Sequence, residues 1–353
     1  MAHKSAGPVS FGLDTFGDLT RSPAGDLLPA DQVIRNVIEE AVLAEEVGVD
    51  FFGVGEHHRP DYAVSAPDVV LAAIASRTKR IRLGSSVVVL SSDDPVRVFE
   101  RFSTLHAISR GRAELTVGRG SFTESFSLFG YDLSDYEVLF EEKLDLLRAV
   151  LDADRDDAAV SWEGSTRASI SEQRLHPPTA FRPPTWVAVG GNPKSALRAA
   201  RQRFGLAIAV IGGNPMYFKT YADLYHRANE QLGHPRGPVS VHSPGLVAAT
   251  DAEARERIFE DWKTQQRRIG AERGWPAPTN GQFNMELDHG SLYAGSPETV
   301  AKKIARTVKN LNLDRFVLKY SNGPSPHEHA TESIRLCGEE VIPLVREILG
   351  RPA

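Results

Sequence analysis

Short β-branched runs alternate with longer stretches of helical period along almost the whole chain. Such a rhythm calls for a mainly parallel sheet whose strands are joined by crossover helices. Strands are expected at Val9–Leu13, Val49–Val54, Ile81–Leu90, Ala113–Val117, Thr185–Val189, Leu206–Ile211, Val239–Val247 and Arg315–Tyr320. Between them, sets such as Phe99, Phe102, Leu105 and Phe140, Leu144, Leu147, Leu151 recur at steps of three and four, giving helices with one apolar face. Asp94-Pro95 and Asn192-Pro193 are cap and first-turn pairs that mark where two of these helices begin. Eight strands interleaved with helices fit an α/β fold, the closed (β/α)8 TIM barrel. An open doubly wound sheet is the alternative, because periodicity cannot see closure. Such barrels take about 250 residues, so a single domain over 1–353 must carry insertions in the loops at its C-terminal mouth. Two irregular stretches qualify, near 152–184 (loop and short hairpin) and near 274–295.

Composition narrows the function classes. A formal net charge of -5 gives no reason to expect nucleic acid or an anionic membrane as partner. No apolar run approaches the roughly 20 residues of a membrane helix, and the first residues have no apolar signal-peptide core. One cysteine, Cys337, excludes an internal disulfide framework and suits a reducing cytoplasm, the expected location.

In a barrel the C-terminal strand ends share one site. That rule gathers Asp14, Glu56-His57-His58, Ser91, Arg119, Gly190-Gly191, Gly212-Gly213 and Lys319-Tyr320. Gly190 to Ser195 joins a strand to a helix, with Asn192 able to cap. Free N–H groups and the positive helix end would make it an anion cradle. An ordinary strand–helix turn needs the same residues, but Arg119 at the neighbouring strand end favours phosphate through a bidentate contact. Alternation points His57 into the cavity and leaves His58 to support the rim. No metal site is expected: Glu56, His57 and His58 alternate in direction, and His327-Glu328-His329 fits a polar helix start.

Taken in order, several segments resemble the bacterial luciferase-like, flavin-dependent monooxygenases over nearly the whole chain. They are Gly48-Val49-Asp50 leading to Glu56-His57-His58, Leu83 to Leu90 with Asp94-Pro95-Val96-Arg97, Ser109-Arg110-Gly111-Arg112, Val117-Gly118-Arg119-Gly120, the Gly190-Gly191 turn, and Ala294 to Val300. The resemblance implies flavin mononucleotide (FMN) at the barrel mouth. Its phosphate would lie between Arg119 and the turn of Gly190, Gly191, Asn192 and Ser195. A bulge at Ser86-Val87, often a cis peptide, would support the flavin ring beside Glu56. His57 matches the family's active-site histidine, an acid or base whose pKa the environment can bring near the working pH. The implied reaction oxygenates a small organic substrate with O2 and reduced FMN from a separate flavin reductase. Leu90, Ser121, Phe122 and the stretch from Asp14 to Gly17 would shape the substrate pocket. The 274–295 stretch would be a lid, and the family favours a homodimer. Two further readings stand beside it: a deazaflavin-dependent dehydrogenase or reductase on the same barrel, and a non-catalytic flavin-binding subunit.

Overall fold

The computed structural model describes residues 8–120, 122–178 and 183–350. Twelve strands occur among them: β1 (Ser10–Thr15), β2 (Phe51–Val54), β3 (Arg82–Ser85), β4 (Val88–Val89), β5 (Ala113–Gly118), β6 (Val160–Trp162), β7 (Ile170–Gln173), β8 (Thr185–Val189), β9 (Gly205–Ala209), β10 (Val239–Val247), β11 (Tyr293–Gly295) and β12 (Arg315–Lys319). The order β1-β2-β3-β5-β8-β9-β10-β12 returns to β1, and every pairing in the ring is parallel. The ring is a closed eight-stranded barrel, so the open-sheet alternative falls. Closure rests on the first and last strands, whose register sets Ser10 against Arg315 and Asp14 against Lys319.

The expected third strand is two pieces, β3 and β4, separated by a cis peptide at Ser86-Val87. Glycine is needed beside it: a Cβ on Gly118 would stand 2.9 Å from a Val87 methyl. Helices pack outside as their apolar faces require. Phe140, Leu144 and Leu147 of the helix Tyr136–Arg155 are fully buried. Asp94 caps the helix Pro95–Ile108 through the Val96 N–H at 2.9 Å, and Asn192 caps Pro193–Arg201 through Lys194 N–H.

The insertion near 152–184 carries the expected hairpin, β6 against β7. The stretch near 274–295 is not irregular throughout. It holds a helix, Asn280–Asp288, followed by β11, which pairs with the far end of β10. That helix has little apolar periodicity, and a reciprocal capping box between Thr279 and Gln282 starts it instead. Among the described residues no helix is long and apolar enough to cross a membrane.

Candidate active site

At the C-terminal end of the barrel lies a cavity of about 770 Å³, within the range of small-molecule sites. Its floor is charged. Glu114 on β5 is 1% exposed and accepts from Arg315 Nη1 and Nη2 at 2.8 and 2.9 Å and from Trp186 Nε1 at 2.9 Å, with Arg82 also bonded. Burial alone would raise the Glu114 carboxyl, but Arg315 and Arg82 outweigh it and hold the group at about 2. The Arg315 guanidinium lies over the rings of Phe51 and Trp186 at 4.4 and 5.0 Å.

Above the floor, β2 ends in Glu56-His57-His58. The Glu56 carboxylate holds two neighbours: Oε2 accepts the Val89 N–H at 2.9 Å, and Oε1 meets His58 Nε2 at 2.9 Å. Glu56 therefore ties β2 to β4 while still bordering the cavity, and His58 braces the rim as its position suggests. The His57 ring stacks on Tyr62 at 4.4 Å and meets the edges of Phe16 at 4.5 Å and Phe122 at 5.4 Å. Burial among these rings, then the charges of Lys319 and Arg59, push its imidazole down to about 3. The near-neutral pKa expected for His57 is therefore not what its surroundings produce: the ring is neutral at physiological pH, because every charge close to it is positive or unpaired with it.

Arg59 shapes the mouth. It stacks over Phe122 at 4.2 Å and pairs with Asp61, Glu124 and, at 2.5 Å, Glu272 near the end of the helix Asp251–Arg273. Trp262, Gln265 and Ile269 of that helix, then Trp275 and Pro276, border the cavity beyond it.

The expected anion end is assembled differently from the simple strand–helix turn. Gly190 borders the cavity, whereas Gly191 is exposed and gives its carbonyl to Tyr221 Oη at 2.9 Å. Asn192 is occupied as a helix cap. Ser195 is buried, its hydroxyl accepting from Arg198 Nη1 at 3.2 Å. Arg119 borders the cavity, stacks over Tyr136 at 5.2 Å and pairs with Glu137, which Arg198 also holds at 2.7 Å. Arg119 and Arg198 thus share Glu137 close to a helix start, Arg198 also pairing with Glu141, and of the two arginines Arg119 is the one that borders the cavity.

Of the expected substrate residues, Phe122 borders the cavity. Leu90 does not: it is 0% exposed and packs in the barrel's hydrophobic core, and Val89 faces the cavity in its place. Val87 and Val89 both border the cavity, so alternation turns Leu90, which the resemblance had placed there, the other way. Ser121 lies outside the described residues. Ser86 and Val87 both border the cavity, and Ser86 Oγ donates to Asp14 Oδ2 at 2.5 Å. Among the described residues no group of three His, Cys, Asp or Glu side chains could hold a metal ion.

The cavity residues His242 and Arg315 escaped the sequence reading, as did Glu114 beneath Arg315 and Arg198 behind Ser195. The signal for His242 was present: Ser240, His242 and Pro244 alternate toward the cavity along β10 while Val239, Val241 and Val247 fill the core.

A model of the luciferase-like monooxygenase family matches residues 15–315. The chain belongs to that family. An N-acetyl-S-alkylcysteine monooxygenase of Bacillus subtilis is 28% identical over 318 residues, 85% of this chain and 90% of that protein. Among solved structures, the monooxygenase RslO1 of Streptomyces bottropensis superposes with a TM-score of 0.81 at 23% identity, over 95% of this chain and 99% of that one. The oxygenating constituent of 3,6-diketocamphane monooxygenase of Pseudomonas putida, in complex with FMN, gives 0.76 at 20% identity over 96% and 99%. An F420-dependent secondary alcohol dehydrogenase gives 0.73 at 18% identity over the same shares, so the barrel serves flavin and deazaflavin enzymes alike. The chain is an oxidoreductase of the luciferase-like family.

Proposed function

We propose that this luciferase-like protein is the oxygenating component of a two-component monooxygenase, taking reduced FMN from a separate flavin reductase and using O2 on a small organic substrate. The observation that carries this reading is the polarity of one cavity. The Gly190 turn with Arg119 beside a helix start lies on one side, and the ring cage around His57 on another.

The residues present fit a flavin phosphate at the Arg119 corner. A Cβ at Gly190 or Gly191 would meet nothing within 4 Å, so the turn leaves open space there. Arg119 would hold the phosphate in competition with Glu137, and the Lys194 to Ser195 helix start would add its dipole. Val87, Trp186 and Ala188 offer an apolar wall for the ring system. When bound and reduced, the flavin supplies the electrons that activate dioxygen. The chain's own part is to exclude water with the aromatic cage and to place His57, as a neutral imidazole, to accept a hydrogen bond at the reacting end.

Oxygen uptake should follow addition of reduced FMN to the protein with a candidate thioether, ketone or phenol, and oxygenated product should form. Reduced F420 should support no turnover. Product formation with F420 but not FMN would move the chain to the deazaflavin dehydrogenase reading; tight flavin binding without turnover would favour a binding subunit. We place the working form as a homodimer, which light scattering at micromolar concentration checks.

A further inference from the structure

We propose that His242, oriented by Asp14, is the proton acceptor of this cavity, and that the substrate it serves carries an acidic hydroxyl on a flat ring, a phenol or its equivalent. The proposal deepens the reading of this cavity as the oxygenation site and rests on it for the choice of substrate.

His242 sits mid-strand on β10, borders the cavity, and brings Nδ1 to 2.7 Å from Asp14 Oδ2. Asp14 is 0% exposed. Its Oδ2 also accepts from Ser86 Oγ at 2.5 Å, while Oδ1 has no hydrogen-bond partner among the described residues. A carboxylate only accepts, so the bond fixes the proton of a neutral His242 on Nδ1 and leaves the Nε2 lone pair for the cavity. A buried carboxylate behind an imidazole also stabilises the positive charge that appears when Nε2 takes a proton. Among the described residues no carboxylate is bonded to His57, whose ring lies against aromatic rings and near Lys319 and Arg59. Other charged groups lining the cavity are each engaged: Arg315 with Glu114, Lys319 with Asp18, Glu56 with His58, Arg119 with Glu137, Glu124 with Arg59 and Glu286 with Gly213 N–H.

The same neighbourhood selects a ring. Phe16 is stacked parallel to His242, with centroids 5.8 Å apart, and meets His57 at 4.5 Å. A flat aromatic group lodged against Phe16, Tyr62 and Phe122 therefore lies within the reach of His242. In the step, Nε2 bonds to the hydroxyl proton, the O–H bond breaks, and its electron pair stays on the substrate oxygen. The proton returns to water after release of product. The resulting phenolate ring is electron-rich, the form an electrophilic oxygen donor attacks.

4-Nitrophenol, whose anion absorbs in the visible, tests this without flavin or oxygen, so its outcome is separate from that of the monooxygenase reading. At a pH one unit below the free probe's own pKa, the wild-type protein should bind it largely as phenolate. His242→Gln can still donate to Asp14 and should keep the fold, checked by circular dichroism. It should bind the neutral phenol, measured by equilibrium dialysis, with the bound phenolate-to-phenol ratio at least about tenfold lower, one pKa unit or more. Histidine ring ¹⁵N NMR should show Nδ1–H for His242 in the wild type and a mixed tautomer in Asp14→Asn, which marks Asp14 as a positioning residue. Phenolate retained in His242→Gln would assign the effect to Arg315 or Lys319 and overturn the proposal. Absence of bound phenolate in the wild type, or an Nε2–H tautomer, would overturn it equally.

Discussion

Replacing His57 by glutamine should make stability less sensitive to acid, and the size of the effect follows from the cage. The imidazole is held at about 3 against an ordinary 6.5, first by burial and then by Lys319 and Arg59. A folded pKa below the unfolded one means that the stabilisation is complete above 6.5 and is lost as the pH falls toward about 3. At about pH 5 the unfolded histidine has gained roughly 1.5 pKa units of proton binding that the folded one has not. At about 1.4 kcal/mol per unit this is about 2 kcal/mol. The ring borders an open cavity, so solvent screening trims the figure to about 1–2 kcal/mol. Glutamine keeps polar groups in the cage but does not titrate. Urea unfolding of both proteins at about pH 8 and about pH 5 should therefore show the stability difference shifting toward the variant by that amount. A difference that stays flat, or shifts toward the wild type in acid, would mean that an anion reaches His57 and that its neutral assignment is wrong.

Three more outcomes follow from the same geometry. Glu114→Gln should destabilise the barrel by about 3 kcal/mol near neutral pH, from the drop to about 2 below its ordinary 4.5. Because that contribution is present above 4.5 and lost as the pH falls through about 2, the gap measured by urea unfolding should shrink by more than half at about pH 3. An unchanged gap would make Glu114 a packing residue. Arg119→Ala should weaken FMN binding by about 10–100-fold, the worth of a charged hydrogen bond, while leaving riboflavin binding unaltered; equal losses for both would move the phosphate elsewhere. Glu272→Ala removes an exposed partner of Arg59 and should cost under about 1 kcal/mol. It should nonetheless speed amide exchange across residues 270–278, and no change there would show that the pair does not hold the roof.

Barrel strands were legible because each is a β-branched run bounded by glycine, proline or a cap, and all eight expected starts lie within two residues of the observed ones. The helix Asn280–Asp288 was not legible, because a capping box rather than an apolar stripe starts it. The site divided the same way. Strand-end residues such as His57, Arg119 and Gly190 declare themselves by interrupting an apolar run. His242, Glu114 and Arg315 sit inside strands, where polar residues read as noise until barrel closure shows that alternate positions point inward. Leu90 failed because it was placed by resemblance: with Val87 and Val89 on the cavity side, alternation turns it into the core.

Pairing β1 with β12 joins residue 10 to residue 315. The walls of the cavity come from both ends of that span, Phe16 near the start and Lys319 near the finish. A growing chain on the ribosome thus has no pocket until almost all of it has emerged, and its β1 edge waits unpaired on one side for that long. Cofactor capture is consequently a property of the finished molecule: a chain ending before β12 should gain no thermal protection from flavin and should be cleared by proteases as an open sheet.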